Sequence, residues 1–137
     1  MRYASSKREK PTTLLLIATN TSSFLVTDLA KAVPKPERFI GMHFFYHAAK
    51  NRLVEIIPGN KTSGKTVDLS LFFSRQIGKD PIVCKDAYGF VVNRYFVPWL
   101  NEATHLYHEK IAGTGIIDYV CMKVFGIGMG PFELMNA

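Results

Sequence analysis

The stretch Pro36-Glu37-Arg38-Phe39-Ile40-Gly41-Met42-His43-Phe44-Phe45, followed after Tyr46–Arg52 by Leu53-Val54-Glu55-Ile56-Ile57, decides how the rest of the chain is read. Phe39–Phe45 and Leu53–Ile57 are short apolar runs of the kind that form buried strands. If they pair antiparallel around the intervening residues, Phe45 opposes Leu53, His43 opposes Glu55 and Gly41 opposes Ile57. Directly opposed residues share a face, so an imidazole and a carboxylate would meet among apolar neighbours. An unpaired carboxylate is costly there, and the imidazole relieves that cost. The carboxylate in turn selects the imidazole tautomer and stabilises the imidazolium formed on proton uptake, which is what a general base needs. Spacing alone leaves two readings open, a proton-transfer pair or a buried structural hydrogen bond.

Working outward, Leu14–Thr19 is a continuous apolar run, expected to be a strand buried on both faces. Asn20-Thr21-Ser22-Ser23 offers helix caps, and Val26, Leu29, Ala30 and Val33 follow at helical spacing until Pro34 and Pro36 end the helix. Pro58-Gly59-Asn60 reads as a turn. Val67, Leu71 and Ser74 then mark one face of a second helix, with Gly78 as its cap, and Pro81–Lys85 reads as a strand. Strand and helix therefore alternate, which implies an α/β layer. Beyond Asp86 the pattern turns helical. Val92, Phe96, Trp99, Ala103 and Tyr107 trace one long helix with Pro98 inside it, and Ile116–Val124 a further one before Gly126, Gly128 and Gly130 interrupt. The expected boundary falls near Lys85, giving residues 1–85 as an α/β part and 86–137 as a helical part.

With 47% hydrophobic residues among 137, the chain is about one domain in size and can bury a core. No apolar run reaches the ~18–20 residues of a membrane span. The basic start Met1–Lys10 and the short run after it do not make a signal peptide, so a cytoplasmic or other internal location is expected. The net charge of +6 comes from scattered lysines and arginines, clustered only at Lys7-Arg8-Glu9-Lys10, and no nucleic-acid-binding signature accompanies them. Cys84 and Cys121 lack metal-ligand spacing and read as buried thiols, so no metal site is expected.

Several segments together resemble the NAD-dependent 3-hydroxyacyl-CoA dehydrogenase family. They are Ala18-Thr19-Asn20-Thr21-Ser22-Ser23, the Pro36–Phe45 and Leu53–Ile57 stretches, Gly78-Lys79, Gly89-Phe90-Val91-Val92-Asn93-Arg94 and Met129-Gly130-Pro131-Phe132-Glu133-Leu134, in that order. The resemblance runs from about Leu14 onward. It implies the C-terminal part of a Rossmann-type NAD-binding domain followed by the first helices of an all-α dimerisation domain. It also implies oxidation of a 3-hydroxyacyl-CoA with NAD as hydride acceptor, and a homodimer. By the same resemblance His43 matches the general base and Glu55 the acid that orients it. Ser22 and Asn93 match substrate contacts, and Asn20 a residue beside the nicotinamide ribose.

The chain departs from the family pattern in places. Tyr46-His47 stands where the family has Asn-Pro, and Ala87-Tyr88 where it has Thr-Pro. Lys50 and Arg52 carry charge that suits coenzyme A phosphates. Gly126-Ile127-Gly128-Met129-Gly130-Pro131 mimics a dinucleotide fingerprint but ends in proline, with no acidic ribose partner after it. The Gly-x-Gly-x-x-Gly strand–turn–helix of a dinucleotide site is absent from these residues, so the expectation is an internal fragment that alone binds NAD poorly. A non-catalytic interaction module, using Phe96, Trp99, Leu100 and Tyr107, is the competing function. A nucleic-acid binder is the third, and neither nucleic acid nor membrane is an expected partner.

Overall fold

The computed structural model describes residues 15–137. Leu14 and the Lys7–Lys10 cluster lie outside the described residues. The elements are β1 (Ile17–Thr19), α1 (Val26–Leu29), β2 (Phe39–Phe44), β3 (Leu53–Ile57), α2 (Gly64–Gln76), β4 (Asp80–Val83), α3 (Val92–His108), α4 (Thr114–Phe125) and α5 (Pro131–Met135), with 3-10 turns at Ala30–Ala32 and Pro36–Arg38. The four strands form one sheet in the order β1-β2-β3-β4. β1 runs parallel to β2, β2 antiparallel to β3, and β3 parallel to β4. Each parallel pair is joined through a helix, as a parallel connection requires. This is the Rossmann-like mixed sheet with a helical continuation that the family resemblance implies.

Alternation along β2 and β3 divides the core between the two faces of the sheet. Ile40, Met42, Val54 and Ile56 are buried under α2, against Val67 and Leu71. Phe39 and Ile57 turn the other way, to Val26 and Ala30 of the α1 turn and to Cys84 and Phe90. Gly41 lies on this second face because nothing larger fits. A Cβ there would come 2.8 Å from Val26 Cγ2 and 3.0 Å from Ile57 Cβ, so α1 rests almost directly on the β2 backbone.

One helix start departs from the expected capping. α1 is not capped by Asn20–Ser23. Its N-cap is Leu25, with no side-chain cap, and Asp86 accepts from Val26 N at 2.9 Å and Thr27 N at 2.8 Å. A carboxylate at those orphan N–H groups satisfies them and complements the helix dipole. α2 is capped by Ser63, whose Oγ accepts from Thr66 N. Gly78 follows α2 in the left-handed region, at φ +75°. β4 runs from Asp80 to Val83, starting one residue and ending two residues before the expected Pro81–Lys85.

Past the expected glycine break the chain forms one more short helix, α5, entered through Gly130 and Pro131. Asp118 on α4 accepts from Phe132 N at 2.8 Å and Glu133 N at 3.1 Å. A Cβ at Gly130 would come 2.4 Å from Asp118 Cβ, so a glycine there lets α5 meet α4. Cys84 is buried as expected, and burial beside the carboxylates of Glu55 and Asp86 pushes its thiol up to about 12. Cys121 is only half-buried, against the expectation. No helix among the described residues is long and apolar enough to cross a membrane.

Candidate active site

The β2–β3 register places Gly41 opposite Ile57 and His43 opposite Glu55, as the alternating pattern required. Phe45 and Leu53 lie beyond the paired positions, which end at Phe44 and Val54. His43 Nδ1 and Glu55 Oε2 are 2.7 Å apart, and the side chains are 8% and 0% exposed. With Nδ1 held by the carboxylate, Nε2 is the ring nitrogen left to a ligand. The imidazole also has two aromatic neighbours, Phe45 at 4.6 Å and Phe90 at 5.8 Å between ring centroids, both steeply tilted.

Glu55 has a second set of partners that no local pattern announced. Its Oε1 accepts from Val91 N at 2.9 Å and Val92 N at 3.0 Å. These N–H groups open α3, a helix of 17 residues, so the carboxylate sits at the positive end of a long helix dipole. A fully buried carboxylate is thus met by an imidazole and two backbone donors, which is how a buried charge is sustained. The chain is steered into this arrangement by consecutive positive φ angles at Gly89 (+75°) and Phe90 (+43°). Gly89 takes that angle without penalty, whereas a bulky residue such as Phe90 does so only under constraint.

The other expected site residues are brought to the same region. Asn20 follows β1, and its Oδ1 accepts from Phe44 N at 2.8 Å, next to His43. Ser22 is exposed and caps nothing, and its backbone carbonyl accepts from Asn93 Nδ2 at 3.3 Å. Asn93 lies in the first turn of α3, two positions past Val91. β2, β3, the start of α3 and the segment after β1 are therefore joined in a closed series of hydrogen bonds that includes the His43–Glu55 pair. Asn20 and Ser22 stand past the carboxyl end of β1, where open α/β sheets hold their ligands.

The Tyr46–Arg52 connection is pinned rather than loose. The Lys79 ammonium donates to the carbonyls of Ala48 and Asn51, the latter at 2.7 Å. The Arg52 guanidinium binds Asp80 through two contacts, at 3.0 and 3.1 Å. Arg52, whose charge suits a coenzyme A phosphate, is exposed and paired with Asp80 on the surface. Tyr46 is exposed and its ring lies 4.2 Å from that of His47. The contacts of Asp86, Lys79 and the Val91–Val92 amides were not foreseen, although Lys79, Val91 and Val92 lie in stretches that carry the family resemblance. Among the described residues no cluster of three His, Cys, Asp or Glu could hold a metal.

Comparison with known proteins bears directly on this arrangement. Residues 6–87 match the family model described as 3-hydroxyacyl-CoA dehydrogenase, NAD binding domain. Residues 89–137 match that of the 3-hydroxyacyl-CoA dehydrogenase C-terminal domain. The mitochondrial hydroxyacyl-coenzyme A dehydrogenase of Sus scrofa is 43% identical over 121 residues, covering 88% of this chain and 38% of that protein. A 3-hydroxybutyryl-CoA dehydrogenase of Clostridioides difficile is 39% identical over 119 residues, 87% of this chain and 42% of that one. Among solved structures, the (S)-3-hydroxybutyryl-CoA dehydrogenase from Ralstonia eutropha superposes with a TM-score of 0.79 at 41% identity, over 85% of this chain and 41% of that chain. The chain thus spans about two fifths of the length of the relatives it matches. On two family models that together cover residues 6–137 except one, this chain belongs to the 3-hydroxyacyl-CoA dehydrogenase family.

Proposed function

We propose that this chain supplies the proton-transfer half of an NAD-dependent oxidation of a 3-hydroxyacyl-CoA to a 3-oxoacyl-CoA. The observation that carries this is the buried His43–Glu55 pair, 2.7 Å apart, with Nε2 left over. Glu55 holds the proton on Nδ1, so Nε2 accepts the proton of the substrate's 3-hydroxyl as the C3–O bond becomes a carbonyl. The positive charge that forms on the imidazolium lies against the Glu55 carboxylate, which is itself anchored by the α3 amides. Ser22 and Asn93 contact the substrate's oxygens in this reading.

For the dinucleotide, the residues present fit one end. Asn20 uses its Oδ1 on Phe44 N, which leaves its amide nitrogen as a donor at the carboxyl end of β1, suited to the nicotinamide ribose. No residue of this chain offers a glycine cradle for the pyrophosphate. When bound, NAD supplies the hydride acceptor for the hydrogen leaving C3. The reading is tested by expressing the chain behind the dinucleotide-binding half of the Sus scrofa relative and supplying NAD and 3-hydroxybutyryl-CoA. Steady NADH formation is expected from the joined protein, and only background from the chain alone. A joined protein that binds both ligands yet forms no NADH would overturn it.

Three finer points belong to the same proposal. The division into residues 1–85 and 86–137 is supported by the change from sheet to helices after β4. An internal compartment, the cytoplasm in the first instance, suits the chemistry. The homodimer is supported by apolar side chains that α3 and α4 leave uncovered, including Tyr95, Val97, Val124 and Phe125. Phe96 and Trp99 pack edge to face beside them. That surface is also what a non-catalytic association module would use. Sedimentation equilibrium is expected to give twice the chain mass, and a monomer at micromolar concentration would remove the dimer.

A further inference from the structure

Among the described residues, only Phe90 and Lys110 take a positive φ without being glycine. Lys110 is exposed and just past the end of α3, where left-handed residues are ordinary. Phe90 is different, because it is 4% exposed and carries a large ring. Its backbone is held from several directions. Phe90 N donates to Ala87 O at 3.0 Å, Arg94 N to Gly89 O at 3.0 Å, and the next two amides bind Glu55. Strain that persists under so many constraints is a reason to ask what it positions.

What it positions is the ring. Phe90 belongs to the cluster of Val26, Phe39, Ile57 and Cys84, and its centroid lies 5.8 Å from that of His43 at an interplanar angle of 58°. Phe45, one residue past the end of β2, lies at 4.6 Å and 59°. Tilted rings at such separations attract beyond the area they bury. The imidazole is therefore located by two phenyl rings and one carboxylate. Phe45 directly follows β2, whereas Phe90 and the amides that hold the carboxylate come from one turn before α3.

We propose that Phe90 is a positioning residue for His43. Its ring fixes the imidazole orientation that keeps Nδ1 on Glu55, so that Nε2 stays the proton-accepting nitrogen. The left-handed turn at Gly89-Phe90 delivers the ring and the two amides together, so base and orienting acid are set by a single backbone feature. This deepens the proposed function and rests on the reading of His43 as the base.

The test is nitrogen NMR of the full chain with labelled histidine, using His43→Gln to assign one signal among the four histidines. In the parent chain His43 is expected as a single tautomer with a protected Nδ1 proton. Phe90→Leu keeps an apolar side chain without a ring, and is expected to speed exchange of that proton at least about tenfold. Phe90→Met serves the same purpose if the leucine variant fails to fold, and Phe90→Tyr, which keeps the ring, is expected to preserve the signal. Val26→Ala weakens the same cluster and is expected to lower Tm with the His43 signal unchanged. A parental signal in folded Phe90→Leu or Phe90→Met overturns the proposal, as does its loss in Phe90→Tyr or Val26→Ala. The measurement uses neither NAD nor thioester. Failure of the joined protein to form NADH would remove the dehydrogenase reading without touching this result, and an unchanged His43 signal would remove Phe90 without touching that reading.

Discussion

His43→Gln lowers kcat for 3-hydroxyacyl-CoA oxidation by about 10²–10⁴-fold in the joined protein, the range of a lost general base. Glutamine is the informative replacement because its amide can donate to Glu55 Oε2, as Nδ1 does now. The buried carboxylate then keeps a partner, and the large penalty for stranding a charge is avoided. Tm is expected to stay close to that of the parent, and KM to change little, since the amide offers no proton acceptor of comparable strength but occupies similar space. Steady-state rates with circular dichroism melts check both halves. A variant that keeps kcat within about threefold would take proton transfer away from His43.

Glu55 has the larger structural consequence. In Glu55→Gln the carbonyl oxygen must face the Val91 and Val92 amides, because both are donors. The amide nitrogen then faces His43 Nδ1, which can only accept. The imidazole is forced to carry its proton on Nε2, so the nitrogen needed as base is already occupied. The expected kcat loss is again about 10²–10⁴-fold, with the sheet intact. Glu55→Ala is expected to cost about 3–5 kcal/mol of stability instead, since it takes the acceptor from two part-buried N–H groups and removes the partner of a buried imidazole. Chemical denaturation measures this. Wild-type turnover in Glu55→Gln would show that the tautomer is set by something other than this carboxylate. Stability within about 1 kcal/mol for Glu55→Ala would show that α3 does not depend on it.

The contrast between these two residues explains what could be read in advance. The His43–Glu55 pairing was legible because a strand alternates with period two and two apolar runs flank a short connection. Once the register is chosen, the facing residues follow. The same logic placed Gly41 opposite Ile57, though only the packed structure explains why a glycine stands in mid-strand. Capping was legible where it is local, as with Gly78 after α2, and illegible where it is not. Asp86 reaches the first amides of α1 across 60 positions, and the Val91 and Val92 amides reach Glu55 across 36 and 37. No propensity or periodicity encodes such contacts. Arg52 shows the same limit, since its pairing with Asp80 from the next strand follows from no local pattern.

By itself the sequence determined the order of strands and helices as far as α4, the antiparallel hairpin at its centre and the family to which the chain belongs. These rest on local periodicity and on runs of residues contiguous along the chain. Tertiary structure alone decided how the pair is supported. The carboxylate is held by the start of a helix from the second part of the chain, and the imidazole by a ring from the same turn. Both depend on where the turn before α3 meets β2 and β3, which is set by packing between segments far apart in the chain. A buried charge can be foreseen from its strand, but its stabilising donors come from wherever folding brings them.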